Sequence, residues 1–347
     1  MSAGKNGASA SFGLGAPYLQ GAMACAWARG VERDMSGSDH LVDPELRPLL
    51  AMISDAFTPT LESLPAMRMR SDAGARMFGG AGAPEARVEV APPGVEVRLQ
   101  IPPGGGAGGA IYHIHGGGFV VGSAAAADAR NWQRAVAFDA VVVSVEYRLA
   151  PEVAFPGPLE DCYAGLRWLA ANAAALGVDP GRIVVVGESA GGGLAAALAL
   201  LARDRGGPRL AGQVLAYPML DHRTAGPDDP YGNRYAGDHI WTQEANRFGW
   251  RCMQGDYDLS EDGLAYFSPA RAADLADLPP TFIGVGALDL FVDEDLDFAA
   301  RLGRAGVPVE AHLYPGAFHA FDLAADSAVA QRFADDIASA VRRMLKG

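Results

Sequence analysis

The hydrophobic pattern after residue 85 alternates between two kinds of segment. Short apolar runs, typical of buried strands, alternate with longer segments whose apolar side chains recur at helical spacing. The predicted strands cover residues 110–114, 141–147, 183–187, 213–217, 281–285 and 309–314. The predicted helices cover residues 125–138, 158–173, 190–204, 293–305 and 325–345. This alternation predicts an α/β fold in which helices cover both faces of a mostly parallel sheet.

Both ends of this region carry a further pattern. Residues 87–90 and 95–99 alternate apolar and polar side chains around Pro92-Pro93-Gly94, which predicts an antiparallel hairpin. In the last predicted helix, one apolar stripe recurs every fourth residue and should pack on the sheet: Val329, Phe333, Ile337, Val341 and Leu345.

Residues 1–75 show helical spacing without any intervening strand, over residues 18–29 and 44–69. Asp43-Pro44-Glu45 is typical of a helix start, with Asp43 as the cap. Residues 73–83 are small and glycine-rich, which predicts a connection. We therefore expect an N-terminal helical cap over residues 1–75 and a second domain over residues 76–347. A docked arm with a purely structural role is the alternative.

Residues 221–262 interrupt the alternation between two predicted strands. They are rich in Gly, Asp, Arg and aromatic side chains, and a helix is predicted through residues 242–253. Long insertions in compact domains usually line or cover a site. We assign this insertion to the same cap as the N-terminal helices.

The segment Gly187-Glu188-Ser189-Ala190-Gly191 joins a predicted strand to a predicted helix. Glycines on both sides of a serine allow a sharp turn that presents the Ser189 hydroxyl at the end of the sheet. Small-residue turns between strand and helix are also common in packing roles. The turn alone leaves both interpretations open, so the other catalytic groups must decide between them.

A nucleophilic serine requires a base within hydrogen-bonding reach and a carboxylate behind that base. His319 lies in the loop after the last predicted strand, at the edge of the sheet where sites of open α/β folds lie. His312 sits in the middle of that strand and is interpreted as structural. His222 and His239 fall in the insertion and are interpreted as surface or pocket residues.

Asp289 follows the predicted strand over residues 281–285 at its carboxyl end, which suits the acid. Asp293, Glu294 and Asp295 follow at a helix start, where interaction with the helix dipole is a sufficient explanation. The resulting order of serine, acid and histidine is that of α/β-hydrolases.

The tetrahedral intermediate of acyl transfer carries an oxyanion that needs preorganised N–H donors. His115-Gly116-Gly117-Gly118 follows the strand predicted over residues 110–114, and glycine amides can face a ligand without an intervening side chain. A further donor is expected from Ala190, the residue after the serine.

These motifs, with Tyr147-Arg148-Leu149-Ala150-Pro151-Glu152, resemble the hormone-sensitive-lipase family of carboxylesterases, bacterial family IV of the α/β-hydrolases. The resemblance implies a sheet of about eight strands, a helical cap and hydrolysis of esters with short acyl chains. It makes Ser189 the nucleophile, His319 the base and Asp289 the acid. It assigns the oxyanion donors to Gly117, Gly118 and Ala190. The sequence departs from the family where aspartate and proline are usual, at Glu188 and Leu290.

The 347-residue chain is half hydrophobic and carries a formal net charge of −13. This charge argues against a nucleic-acid partner or an anionic membrane surface, since both require a concentrated positive field. Its three cysteines, Cys25, Cys162 and Cys252, lie far apart and suggest buried thiols, with no disulfide or zinc site. The start of the chain lacks a secretory pattern, and no uninterrupted apolar stretch could span a bilayer, so a cytoplasmic enzyme is expected.

A dinucleotide enzyme is not expected, because Gly284-Val285-Gly286 lacks the third glycine of that binding motif. The serine-esterase interpretation needs no cofactor, and neither a cofactor nor a metal is predicted. A small-molecule ester is the expected substrate, and the resemblance is compatible with a homodimer. An amidase and a lipase for longer chains are alternatives that use the same residues. A hydrolase-fold protein that binds a ligand without turnover is a further alternative.

Overall fold

The computed structural model describes residues 37–53, 59–78, 83–260 and 262–346. Within them one sheet of eight strands forms the centre of the protein. Its strands are β1 (Arg87–Ala91), β2 (Val95–Gln100), β3 (Gly109–Ile114), β4 (Ala140–Val145), β5 (Ile183–Glu188), β6 (Gly212–Ala216), β7 (Thr281–Gly286) and β8 (Val309–Tyr314).

The strand order is β1-β2-β4-β3-β5-β6-β7-β8. Strand β2 runs antiparallel to β1 and β4, and the remaining neighbours pair in parallel. The predicted hairpin and the mostly parallel sheet are therefore confirmed. In this register Ile114 pairs with Gly187. Residues 115–118, which we call the glycine loop, follow β3 and therefore lie beside the turn after β5.

The α-helices of the described residues are α1 (Arg47–Met52), α2 (Leu64–Phe78), α3 (Asp128–Phe138), α4 (Gly157–Asn172), α5 (Ala190–Asp204), α6 (Gln243–Gln254), α7 (Leu264–Phe267), α8 (Val292–Arg304) and α9 (Ala328–Met344). Short 3₁₀ segments occur at Asp39–Leu41, Pro44–Leu46, Ala125–Ala127, Ala174–Leu176, Pro180–Arg182, Pro269–Arg271 and Phe321–Leu323.

The core lies on both faces of the sheet. Helices α4, α5 and α8 contribute to the cluster on one face, which we call the α5 face, and α3 and α9 contribute to the cluster on the other, the α9 face. Strands β3, β4, β6 and β7 are buried along their whole length, which is why their sequences are continuous apolar runs. The stripe predicted on α9 is confirmed: Val329, Phe333 and Val341 are buried against the sheet.

Two N-terminal expectations were wrong in detail. The pattern over residues 44–69 is divided, because α1 ends at Met52 and α2 begins at Leu64. Thr60 and Ser63 exchange backbone and side-chain hydrogen bonds at the new start, as in a capping box. The connection predicted from residue 73 is helical as far as Phe78. Asp43 caps the 3₁₀ turn at Pro44–Leu46 as expected, whereas the helix predicted over residues 18–29 lies outside the described residues.

Cys162 and Cys252 are buried free thiols, as predicted, and Cys25 lies outside the described residues. Among the helices that the structure describes, none combines the length and apolar character that crossing a bilayer requires.

Candidate active site

Ser189 occupies the sharp turn between β5 and α5, with a φ of 56° and a ψ of −122°. The flanking glycines are required by close backbone contacts. A Cβ at Gly187 would lie 2.2 Å from the Gly191 carbonyl oxygen, and one at Gly191 would lie 2.1 Å from the Ile114 oxygen. The turn can therefore form only where side chains are absent, and it holds Ser189 in a strained conformation.

The structure brings Ser189, His319 and Asp289 together in one chain of hydrogen bonds. His319 Nε2 is 2.9 Å from Ser189 Oγ, and His319 Nδ1 is 2.8 Å from Asp289 Oδ2. The three side chains come from the ends of β5, β7 and β8 and are all buried. We refer to them as the Ser189–His319–Asp289 array. Its geometry allows His319 to accept the serine proton while Asp289 orients the imidazole.

The loops that carry Asp289 and His319 are tied to one another. The Leu288 amide donates to the Ala317 carbonyl over 2.9 Å, which joins the β7 loop to the β8 loop. The second carboxylate oxygen of Asp289 accepts from the Phe291 amide at 3.0 Å. Asp289 is fully buried, so these two bonds fix the direction in which its carboxylate faces His319.

Aromatic rings enclose the His319 imidazole on several sides. Tyr217 and Phe291 meet it edge to face, with ring centroids 4.9 and 5.3 Å away. The Trp241 centroid lies 6.2 Å away. The Tyr217 hydroxyl donates to Asp322 at 2.7 Å, which holds the phenol in place. These contacts restrict the imidazole to the rotamer that reaches Ser189.

The glycine loop lies beside this array. Gly117 and Gly118 both have positive φ, and a Cβ at Gly117 would lie 2.1 Å from the Val121 oxygen. The amides of Val120 and Val121 donate to the Gly117 carbonyl, and these loop bonds do not use the Gly117 or Gly118 amides. Ala190 is the first residue of α5, where helical amides have no intrahelical acceptor.

Glu188, one of the two departures from the family pattern, joins the turn to α3. Its carboxylate accepts from Arg134 of α3 and from His113 Nε2 at 2.9 Å. Burial opposes ionisation of Glu188, but the charge of Arg134 leads the interactions that outweigh it and hold its pKa well below the usual value. Sequence reasoning missed this network, because only the strand register places β3 beside β5.

Like His319, His113 lies within hydrogen-bonding distance of a serine hydroxyl and a carboxylate, but its surroundings differ. Its Nδ1 lies 2.9 Å from Ser144 Oγ and accepts from the Asn131 amide nitrogen at 3.0 Å. Ser144 lies within β4 and is 1% exposed. Since Asn131 already donates to Nδ1, the His113 proton lies on Nε2 toward Glu188. This arrangement holds neighbouring elements together and presents no accessible nucleophile.

The helix dipole proved an insufficient explanation for Glu294. This carboxylate is buried and accepts from the Leu220 and Asp221 amides at 2.6 and 3.1 Å and from the Thr224 hydroxyl. Burial raises its pKa well above the usual value. Glu294 therefore fixes the start of the insertion onto α8, a role that only the tertiary contact reveals.

Asp295 presents a further buried carboxyl next to Glu294. Neither of its oxygens has a hydrogen-bond partner among the described residues. Burial, followed by the negative charges of Glu294 and Asp289, raises its pKa well above the usual value. Asp293, in contrast, accepts from the Asn233 amide of the insertion at 2.8 Å.

The remaining histidines do not reach Ser189. His312 bonds to Glu310 on its own strand, consistent with a structural role. His239 is buried against Phe318, with ring centroids 5.6 Å apart, and burial lowers the pKa of His222. Within the part of the chain that the structure describes, no cluster of three or more His, Cys, Asp or Glu side chains could hold a metal.

A cavity of about 180 Å³ lies behind the glycine loop. His115 and Gly116 line it, together with Glu188, Tyr217 and Ala320. Burial lowers the pKa of His115 to about 4. Its Nε2 has no hydrogen-bond partner in the described structure.

Glu146 lies beside His115, with Oε1 3.9 Å from His115 Nε2. Burial raises the pKa of Glu146 to about 7, although its carboxylate accepts from the Ala124 and Ala125 amides. At His115 and Glu146 the loop therefore borders two side chains whose burial opposes their charged forms.

The N-terminal segment and the insertion contact one another. The Ser38 amide and hydroxyl both donate to Asp238 Oδ2, at 2.9 and 2.8 Å. Arg68 of α2 donates to the carbonyls of Val120 and Ala150 at 2.8 and 3.0 Å. The two segments thus meet each other and the glycine loop.

Comparison with known proteins places this geometry in a family. The model of the alpha/beta hydrolase fold family matches residues 111–323. The chain is 34% identical over 305 residues to carboxylesterase NlhH of Mycobacterium tuberculosis, covering 80% of this chain and 89% of NlhH. It is 41% identical to esterase LipI of the same species over 208 residues, which is 58% of this chain and 62% of LipI. The latter match spans less than two thirds of LipI.

Solved structures agree with the sequence comparison. A bacterial heroin esterase superimposes with a TM-score of 0.79 at 37% identity, covering 89% of this chain and 99% of the esterase. The chain belongs to the alpha/beta hydrolase fold family, in the hormone-sensitive-lipase branch of carboxylesterases known as bacterial family IV.

Proposed function

We propose that the protein is a serine carboxylesterase in which Ser189 is the nucleophile, His319 the general base and Asp289 the acid. The observation that carries this proposal is the continuous hydrogen-bonded path from Ser189 Oγ through His319 to Asp289. Its relatives NlhH and LipI are named as a carboxylesterase and an esterase.

The reaction proceeds through an acyl-enzyme. Ser189 Oγ attacks the ester carbonyl carbon as His319 Nε2 accepts the hydroxyl proton. The imidazolium then donates this proton to the leaving alkoxide oxygen, and the acyl group remains on Ser189. Water attacks the acyl carbon while His319 accepts its proton, and the carboxylic acid is released as Ser189 recovers its own.

The oxyanion of both tetrahedral intermediates is assigned to the amides of Gly117, Gly118 and Ala190. Two structural facts support this assignment: the loop's internal bonds leave the glycine amides unused, and Ala190 begins a helix. Donors that are already fixed stabilise developing charge without reorganisation. Removal of one such donor typically lowers kcat by about 10²- to 10³-fold.

The test is p-nitrophenyl acetate hydrolysis by purified wild-type protein and by Ser189→Ala. Loss of activity in the variant and covalent labelling of wild-type Ser189 by an organophosphonate are the expected results. Ser144→Ala is the matched control, since that serine also contacts a histidine. Wild-type turnover by Ser189→Ala would contradict the proposal, and retention of labelling there would place the nucleophile elsewhere.

The alternative reactions are separated by the choice of substrate. We propose a preference for short acyl chains, which a series from acetyl to palmitoyl esters tests. Faster turnover of palmitoyl esters would indicate a lipase, and turnover of the matching anilide an amidase. The absence of both phosphonate labelling and ester turnover would indicate ligand binding on a hydrolase fold.

We also propose the domain division, with residues 1–75 and the insertion at residues 221–262 forming a cap over residues 76–347. The hydrogen bonds of Ser38 to Asp238 support a common cap. A homodimer and a cytoplasmic location complete the proposal. Light scattering of the purified protein and fractionation of the source cells test them.

A further inference from the structure

An indole of the insertion lies close to both the glycine loop and the His319 imidazole. Trp241 is 5% exposed, and a Cβ placed on Gly118 would lie 2.1 Å from its Cη2 and 2.6 Å from its Cζ2. The edge of the six-membered ring is therefore in van der Waals contact with Gly118. Together with its position beside His319, this contact puts the ring between the glycine loop and the imidazole that reaches Ser189.

A buried amide holds the indole in this orientation. Trp241 Nε1 donates to Asn246 Oδ1 at 3.2 Å, and Asn246 Nδ2 donates to the Thr224 carbonyl at 2.8 Å. Asn246 is fully buried on α6. Because both ends of its amide are bonded, the indole cannot rotate without leaving buried polar groups unpaired.

The space behind the indole is filled. Helix α6 approaches the glycine loop at Gly249, where a Cβ would lie 2.8 Å from the Gly118 oxygen and 3.6 Å from Met219 Cε. Met219 is fully buried, and its amide donates to the Ser189 carbonyl at 3.0 Å. Trp241, Met219 and Phe248 all belong to the apolar cluster of the α5 face.

A cavity borders the serine turn at Glu188 and at Gly116, which contacts the Ser189 side chain. The cavity behind the glycine loop is bounded there by Tyr217, Glu188 and Ala320, and Tyr217 belongs to the α9 face. The turn thus has one closed side, at Trp241 on the α5 face, and one side that borders a cavity, at Tyr217 on the α9 face.

We propose that the acyl group of the substrate lies on the closed side and that Trp241 sets its upper size. The inference rests on the proposed function and names the acyl specificity of that site. The alcohol must depart before water attacks, so both need space, which the cavity side offers. The acyl group stays bonded to Ser189 through this exchange and gains from an apolar wall. Esters of acetic and similarly small acids are the substrate class that this geometry fits.

The test compares Trp241→Ala and Trp241→Phe with the wild type on p-nitrophenyl acetate, butanoate and octanoate. Accommodation of added methylenes changes kcat/KM by about tenfold or more. We expect the octanoate-to-acetate ratio of kcat/KM to rise at least about tenfold in Trp241→Ala, with a smaller rise in Trp241→Phe. An unchanged ratio in both variants would overturn the role of Trp241.

A series of acetates that differ in the alcohol, from ethyl to hexyl, is the second arm. We expect the ratios of kcat/KM among these acetates to be the same in the variants as in the wild type. A change confined to this series would place Trp241 on the alcohol side and overturn the assignment. The matched control is Trp168→Ala, a half-buried indole on α4, which packs on β2 and β4. It should keep the wild-type acyl ratio.

Two measurements separate this inference from the proposed function. Phosphonate labelling of the Trp241 variants at full stoichiometry shows that the site is folded, and Trp241→Phe keeps the test available where the alanine variant is unstable. Loss of acetate hydrolysis in Ser189→Ala supports the proposed function independently of Trp241. If that loss is observed and the octanoate-to-acetate ratio is unchanged in the Trp241 variants, only the role of Trp241 is contradicted.

Discussion

Gly116 lies directly against the backbone of Glu188: a Cβ at Gly116 would be 2.7 Å from the Glu188 carbonyl oxygen and 3.4 Å from the Ser189 Cβ. The glycine loop therefore rests on the turn that carries Ser189, with no side chain between them. This backbone contact sets the distance between the candidate nucleophile and the candidate oxyanion donors. Adding even a methyl group at Gly116 should therefore lower the catalytic rate.

Gly116→Ala is expected to lower kcat by about 10- to 100-fold with a smaller change in KM. The added methyl group displaces the loop and weakens donors whose full loss would lower kcat by about 10²- to 10³-fold. Steady-state kinetics on p-nitrophenyl acetate measures the effect. Gly303→Ala is the control, because its nearest contact would be an ordinary 3.7 Å and it lies in α8. Equal kinetics in the two variants would contradict the prediction.

Asp289→Asn should lower kcat by about 10³- to 10⁴-fold, since an amide can donate to Nδ1 and favour the wrong histidine tautomer. Asp293→Asn is the matched control and should retain near-wild-type kcat. Its carboxylate bonds to Asn233 of the insertion and takes no part in the array. A larger loss in Asp293→Asn than in Asp289→Asn would show that the acid was assigned to the wrong residue.

Glu146→Gln should flatten the pH dependence of stability. The carboxyl has a pKa of about 7 in the folded protein and about 4.3 in the unfolded chain. Between these values the unfolded state releases a proton that the folded state keeps, so stability falls as pH rises from about 4.3 to 7 and is constant above. The glutamine is neutral throughout and can still accept from the Ala124 and Ala125 amides.

Urea unfolding of the two proteins at pH 5 and pH 7.5 provides the measurement. From pH 5 to pH 7.5 the free energy of unfolding of the variant should rise by on the order of 2 kcal/mol relative to that of the wild type. A difference that does not change with pH would show that Glu146 ionises normally in the folded protein.

Arg134→Met should destabilise the protein by about 3 kcal/mol, because it leaves the Glu188 carboxylate in a largely buried site without its guanidinium partner. The double variant Arg134→Met/Glu188→Met removes both charges and should recover much of the loss. Unfolding free energies from urea titration test this pair. Additive losses in the double variant would contradict the ion-pair explanation.

Local sequence was sufficient for most of the fold. Helix α5 and strand β8 have the bounds expected from their patterns. The buried helix α5 shows its burial as a nearly continuous apolar run, whereas the edge strand β8 alternates apolar and polar side chains. The N-terminal helices were less predictable. Thr60 and Ser63 begin α2 through side-chain bonds within a pattern that otherwise continues.

The candidate residues Ser189, Asp289 and His319 could be predicted because each lies at the carboxyl end of a strand. Parallel strands bring these ends to one edge, so order along the chain becomes proximity in space. The contacts of Trp241 with Gly118 and of Glu188 with Arg134 carried no such signal.

The sequence by itself determined the sheet, the turn at Ser189 and the identity of the groups that meet there. Only the tertiary structure decided what surrounds them: the indole on the glycine loop, the charge network under the turn and the Glu294 bonds to the insertion. Periodicity and turn chemistry act between near neighbours in the chain. Contacts between distant segments depend on how whole elements pack, so they cannot be predicted from the residue types alone.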